Sequence, residues 1–477
     1  MAKYKLINDA IDEIGFTWYH FGLFCLTGFG YAADSLVAMI QGSVQTYAVY
    51  YQYNMDYPIS TEFSYFGLFV GAVVIGFTSD LIGRKTAFNC SLILSALFGF
   101  MAGGSSSLAM YMVNMFMANF FLGGNLALDV TLLLEFLPFK WQYLNTFLAC
   151  WWGIGQTVCE LIAWGFIPNF SCSVKGACPM SENRGWRYTW YAGSGLVLVM
   201  GLARVLFFHL HETPKHLVST KRDEEAVRVL QELALKYNRQ CSLTIEDLQR
   251  CGEISINDDF ISKASFSESM KQIWHHVKLL FLNKTVARSN ILLITSWFGI
   301  GITYGIYNNF LYAFLESQGA STGSTTHQIY RDATIECFFS IFGPIMAAYI
   351  MLIPKIGRRG TMAIGGVSSM ILLMCYTKVR DEAANVVLSS MSYISINLYY
   401  GTLYAYTPEA LPSLNRATGA ALCLASNRVA GMLVPVIYYF SNDQSSSAPI
   451  FVCGAIIGLV GVLALLLPFE TSKQRSI

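Results

Sequence analysis

Two sets of residues recur along this chain at one fixed interval. Gly83-Arg84-Lys85 is matched by Gly357-Arg358-Arg359, 357 − 83 = 274 positions later. Glu135-Phe136-Leu137-Pro138 is matched by Glu409-Ala410-Leu411-Pro412, and 409 − 135 is again 274. Glu212-Thr213 returns as Glu470-Thr471 at 470 − 212 = 258. Each signature sits at the end of a long apolar stretch. Two motifs at one offset mean that the second half repeats the first. The pattern calls for two homologous membrane-embedded halves joined by a polar linker, an arrangement in which a solute site is built between the repeats.

The apolar stretches carry that reading. Hydrophobic residues make up 54% of the chain and charged residues 13%, about half the charge of a soluble domain, and the mean hydropathy is +0.45. A span needs about 20 apolar residues. On that ruler about twelve lie near Phe21–Gly42, Phe63–Ser79, Ala87–Gly104, Met110–Leu134, Thr146–Ile167, Thr189–Phe208, Ser289–Phe314, Ala333–Ile353, Thr361–Tyr376, Asn385–Thr407, Ala417–Phe440 and Ile450–Leu467. Their length and lack of strict alternation predict helices rather than a barrel, hence an all-α polytopic membrane protein. The formal net charge of +1 argues against a nucleic-acid partner.

Asp9, Asp12 and Glu13 interrupt the start, so it does not read as a cleavable signal. Lys and Arg concentrate in one set of loops, at Arg84 and Lys85, Lys140, Lys355, Arg358 and Arg359, Arg416 and the central linker. This predicts that those loops and both termini face the cytosol, with the plasma membrane as the expected location. The expected organisation is a tail over 1–20, a six-helix bundle over 21–208, a linker over 209–288, a second bundle over 289–468 and a tail over 469–477.

In the linker, Glu224 to Tyr237 has helical periodicity, with Val227, Leu230, Leu233 and Ala234 on one face. Ser267 to Leu282 is expected on the membrane surface. His275 and His276 are adjacent and point apart on a helix, so no metal site is expected. Most cysteines lie inside spans as small core residues. Cys172 and Cys178 share one predicted outer loop and are a disulfide candidate on an oxidising face.

The order Gly76-Phe77-Thr78-Ser79-Asp80-Leu81-Ile82-Gly83-Arg84-Lys85 resembles the loop motif of the major facilitator superfamily. Glu135 to Pro138, Pro408 to Pro412 with Arg416, Glu212 to Lys215 and Phe469 to Lys473 resemble motifs of its sugar-porter and synaptic-vesicle-protein-like branch. Ala10 to Phe16 and Gly123 to Asp129 look most like synaptic-vesicle-two-related relatives, particularly fungal ones. The resemblance spans nearly the whole chain and implies twelve transmembrane helices in two pseudosymmetric six-helix bundles. The chain departs from the pattern at Pro354, which stands where the first loop motif has Asp80. Gln142 stands near an expected arginine. The seventh span lacks the paired glutamines of hexose carriers, which weakens a sugar reading.

Two groups of charged and polar residues follow. At the loop ends, Asp80, Gly83, Arg84, Lys85, Glu135, Arg358, Arg359, Glu409 and Arg416 are candidate gating charges that latch one end of the halves in one state. Inside the spans a charge is costly and must face a partner or a wet interior. Asp34, Asp129, Glu160 and Arg428 are such charges, accompanied by Gln156, Tyr307, Asn308, Asn309, Asn397 and Asn427 as a candidate solute and proton pathway. Glu336 is expected near an outer end, exposed to water. No G-x-x-x-x-G-K-[ST] loop and no nucleophile constellation is present, so neither direct ATP use nor enzyme catalysis is expected, and no cofactor. The expectation is a monomeric secondary transporter in the bilayer. It moves a small organic solute by alternating access, with protons carried by Asp34 or Asp129. The alternatives are an uncoupled facilitator and a transporter-like receptor or trafficking protein.

Overall fold

A computed structural model describes residues 2–55, 59–82, 84–172, 181–206, 211–219, 221–251, 277–278, 280–317, 325–378, 381–411, 416–440 and 447–470. The backbone alone is described at 2, 76–82, 84–87, 127, 216, 219, 308–317, 382, 416–417 and 438–440. All regular structure among these residues is helical. After a short helix α1 (Ala2–Ile14), the first half holds α2 (Trp18–Gln45), α3 (Ile59–Ile82), α4 (Arg84–Gly103), α5 (Leu108–Phe136), α6 (Cys150–Phe170) and α7 (Gly185–Leu206). The linker holds α8 (Asp223–Lys236). The second half holds α9 (Lys284–Ser317), a span broken into α10 (Thr326–Ser340) and α11 (Phe342–Ile350), then α12 (Gly357–Tyr376), α13 (Glu382–Ala410), α14 (Arg416–Phe440) and α15 (Ala448–Leu465). These are twelve membrane spans in two six-helix bundles.

Seven of the helices cross a membrane on length and apolar composition alone. Ile59–Ile75 of α3 and Phe88–Gly103 of α4 are shorter apolar stretches. Within the halves α3 packs on α5 and α12 on α15, while between them α6 meets α10 and α14 meets α3. The halves thus touch through pseudosymmetric helix pairs, leaving α2, α9, α5 and α13 to surround the centre.

The residues before the first span, expected as a tail, form α1. Ile7, Ala10, Ile11 and Ile14 recur at helical spacing and are all buried. Lys3 Nζ meets Asp223 at 2.5 Å, and Asp12 accepts a hydrogen bond from the Phe139 amide at 2.7 Å. α8 matches the expected amphipathic segment and buries Ala226, Val227, Leu230, Leu233 and Ala234. α1 and α8 therefore sit together under the first bundle, at what we term the linker end. The second surface segment and His275 and His276 fall mostly or wholly outside the described residues.

Candidate functional site

A cavity of about 410 Å³ lies between the halves. Its wall runs from mid-span to the end opposite the linker. Ser35, Gln41 and Ser43 come from α2; Thr46 and Tyr50 come from its π-helical extension, Thr46–Gln52. Ser64 and Tyr65 come from α3, Trp152, Gln156 and Glu160 from α6, Tyr304 from α9, Tyr330, Glu336 and Cys337 from α10, Tyr393 and Tyr400 from α13, and Asn427 and Arg428 from α14. A π-turn widens the helix locally and turns extra side chains to one face, which suits the cavity mouth.

The polar groups cross between halves. The Gln156 amide donates to the Tyr304 hydroxyl, and Tyr330 donates to the Ser43 carbonyl at 2.7 Å. Each half also supplies one buried glutamate held by a serine of its own half: Ser43 donates to Glu160 at 2.7 Å and Ser389 to Glu336 at 2.6 Å. Glu336 was expected in water, yet it is 2% exposed, because α10 turns that face inward against α13.

The floor is aromatic. Tyr31 meets Tyr404 with ring centroids 5.6 Å apart, Trp152 meets Tyr400 at 6.2 Å and Trp297 meets Tyr404 at 4.5 Å. Tyr31 and Trp152 belong to one half and the others to the second, so the plug closes the linker end by contact between halves. Below it Thr146 and Met351 touch at 3.3 Å. Beside the floor lies Asp34, 1% exposed, with an Arg428 nitrogen 3.6 Å from its carboxylate. That separation is beyond a good hydrogen bond. Among the described residues, neither Asp34 oxygen nor Arg428 Nε has a hydrogen-bond partner.

Asp129 sits elsewhere. Its carboxylate meets Arg204 of α7 at 3.0 Å and Asn125 at 2.6 Å inside the first bundle. Arg204 also donates to the carbonyls of Leu26 and Phe88 and lies 3.8 Å over the Phe88 ring. Gly30 is required there, since any Cβ would strike Asp129, Arg204 and Asn125. Sequence reasoning missed Arg204: two residues from the end of α7, it reads as a topology charge. The remaining polar candidates scatter. Tyr307 lines a separate small void with Cys453, and Asn397 bonds back to Tyr393 of its own helix. The side chains of Asn308 and Asn309 lie outside the described residues.

At the linker end of the second half, Arg358 meets Glu409 at 2.7 Å, both side chains 3% exposed. Glu470 accepts from the Arg358 amide at 2.9 Å and from the Arg359 amide at 3.4 Å. Gly357 enters this turn with φ +59°, a conformation only glycine adopts freely, and the Glu470 carboxylate packs where a Cβ would stand. The third repeated motif thereby caps the first. In the first half Glu135 is 6% exposed; Gly83 and the side chains of Asp80, Arg84, Lys85 and Arg416 lie outside the described residues. Cys172 is disulfide-bonded, and Cys178 also lies outside them.

Comparison with known proteins agrees with this architecture. Residues 17–477 match the family described as Sugar (and other) transporter. The chain is 36% identical over its full length to the MFS siderochrome iron transporter 1 of Ceriporiopsis subvermispora, of which it covers 92%. It is 24% identical to the synaptic vesicle 2-related protein of Xenopus laevis, over 98% of this chain and 82% of that one. Its fold overlays the proton:xylose symporter XylE bound to 6-bromo-6-deoxy-D-glucose with a TM-score of 0.68 at 14% identity, over 96% of this chain and 98% of the other. The chain is a multi-pass transporter-family protein of the major facilitator superfamily and belongs to its sugar-porter branch, the Sugar (and other) transporter family.

Proposed function

We propose that this protein is a proton-coupled secondary transporter. It carries a small organic solute bearing an anionic group, and its two halves rock to expose the central cavity to each side in turn. One observation carries the reading: the cavity between the halves ends at Arg428, whose carboxylate neighbour, Asp34, is held loosely at 3.6 Å. A guanidinium with donors to spare suits a carboxylate or similar anion. The Tyr65, Tyr304, Tyr400 and Trp152 rings around it suit an apolar or ring-bearing body.

Coupling follows from competition for Arg428. A solute anion that engages the guanidinium draws it from Asp34, and a dry carboxylate without its counter-ion is favoured as the neutral acid. Solute and proton then enter together. Glu409, Arg358 and the aromatic plug hold the linker end shut in this state, and the cavity wall reaches the other end. With the linker end on the cytosolic side, as the loop charges indicate, this is an outward-facing form. The plasma membrane is the proposed location and a monomer the proposed state. Relatives bear names tied to dissimilar solutes, siderochrome iron and xylose, so identity within the class is left to experiment. The test is uptake into proteoliposomes of a panel of organic acids and matched neutral analogues, with and without an imposed pH gradient. Accumulation of an acid above its external level, driven by the gradient, supports the proposal. Flux indifferent to the gradient selects an uncoupled facilitator, and no flux of any solute selects a non-transporting role.

A further inference from the structure

We propose that Ser242 is a phosphorylation site and that its modification releases α1 from the linker. The proposal rests on the reading that the linker end faces the cytosol, where ATP and protein kinases are found.

Ser242 lies in the non-helical segment 237–244, between α8 and the short helix Ile245–Arg250, and is exposed. Arg239 stands three residues before it, also exposed, and Leu243 follows it. An arginine at that offset is the chemistry that basophilic serine kinases read; Leu243 itself is buried here. In this structure Ser242 is not idle. Its amide and its hydroxyl both donate to one oxygen of Glu13, at 2.8 and 2.7 Å. These bonds hold the Glu13 carboxyl below the ordinary glutamate range. Glu13 is on α1, and the neighbouring Asp12 caps the Phe139 amide, directly after the Glu135-Phe136-Leu137-Pro138 motif. α1 thus straps the linker to the loop that follows Glu135, the candidate gating carboxylate at the end of α5.

In the modification, the Ser242 Oγ attacks the γ-phosphorus of ATP. The Oγ–P bond forms as the bond to ADP breaks, and the hydroxyl proton passes to the kinase's base. The hydroxyl donor is lost, and a group of about −1.5 to −2 charge replaces it beside the Glu13 carboxylate. Attraction becomes repulsion at one end of a strap that is also tied by Lys3 to Asp223.

The experiment treats the purified full-length protein in detergent with ATP and the catalytic subunit of a kinase that requires arginine three residues before serine. Mass mapping and hydrogen exchange are the readouts. Expected are one phosphate on Ser242, none there in Ser242→Ala, and exchange of the α1 amides faster by roughly fivefold or more. In Glu13→Gln, which removes the repelled charge, phosphorylation is expected to change α1 exchange less. No phosphate at Ser242, or a phosphate that leaves α1 exchange unchanged, overturns the proposal. Detergent exposes both faces, so this result does not depend on orientation. Orientation is read separately from protease cleavage of the linker in sealed right-side-out vesicles: protection supports kinase access in the cell, and cleavage overturns it.

Discussion

Asp129 and Arg204 form an ion pair at 3.0 Å in which neither side chain has any solvent exposure. The pair is tied to α2 through the Leu26 carbonyl, to α4 through Phe88 and to α5 through Asn125. Four helices of the first bundle therefore meet at one guanidinium. Such a pair specifies packing more than it adds net stability, but removing one partner strands the other in a dry interior.

Arg204→Leu is accordingly expected to destabilise the protein by about 3–5 kcal/mol, read as lower yield of monodisperse protein and a lower Tm in detergent. Adding Asp129→Leu should recover part of the loss, since no lone charge then remains. A single variant as stable as wild type would show that the network does not hold the bundle together.

The second prediction concerns the closed linker end. Arg358 and Glu409 are sealed from solvent at 2.7 Å, so Glu409→Gln weakens a charge-assisted contact where water cannot substitute for it. The linker end should open more often. Cys150 and Cys423, both buried and free near that end, should react faster with a maleimide. Arg358→Ala should act alike, and the double variant should add little to either. Unchanged labelling in both single variants would remove this pair from the gate.

Much of this was legible in the residues. The 274-residue repeat sets two bundles, and the cost of a charge in hydrocarbon singles out Asp34, Asp129, Glu160 and Arg428. What a linear reading lacks is the partner. Asp34 and Arg428 are nearly 400 positions apart by their numbers and meet only because α2 and α14 converge at the centre. Asp129 looks equally functional by cost alone, and only the packing of α7 supplies Arg204. Glu336 looks terminal because the apolar stretch begins only at Ala333, yet α10 begins at Thr326 and carries it well inside the helix. The face Ile7, Ala10, Ile11 and Ile14 was readable as a helix; three acidic residues nearby hid it.

A third prediction tests that helix. Ile7→Asp or Ile11→Asp places a charge at a fully or nearly buried position and should undock α1, seen as fast hydrogen exchange over residues 2–14 with the spans still protected. Glu13 gives a pH check. Its carboxyl is held below the ordinary glutamate value by Ser242, so its contribution is present above the unfolded value and is lost as pH falls through the lowered folded value. α1 protection should hold from neutral pH to about pH 5 and decline only in stronger acid. Decline above that range would assign docking to another group.

The last prediction separates the two aspartates. Asn is nearly isosteric with Asp and cannot titrate. Asp34→Asn removes the group that faces Arg428 at the cavity floor while leaving shape and burial unchanged. It should abolish accumulation driven by a pH gradient, yet leave exchange of solute at equal concentrations on both sides, because exchange need not complete a proton cycle. Asp129→Asn changes a group enclosed by Arg204 and Asn125, away from the cavity. It should lower Tm, and whatever protein folds should still concentrate solute on the gradient. The measurement is proteoliposome flux, normalised to folded protein, for wild type and both variants, with and without the gradient. If Asp34→Asn still concentrates solute, Asp34 carries no proton. If only Asp129→Asn fails, the buried pair with Arg204 is the carrier, and the loose contact between Asp34 and Arg428 serves structure or solute binding alone.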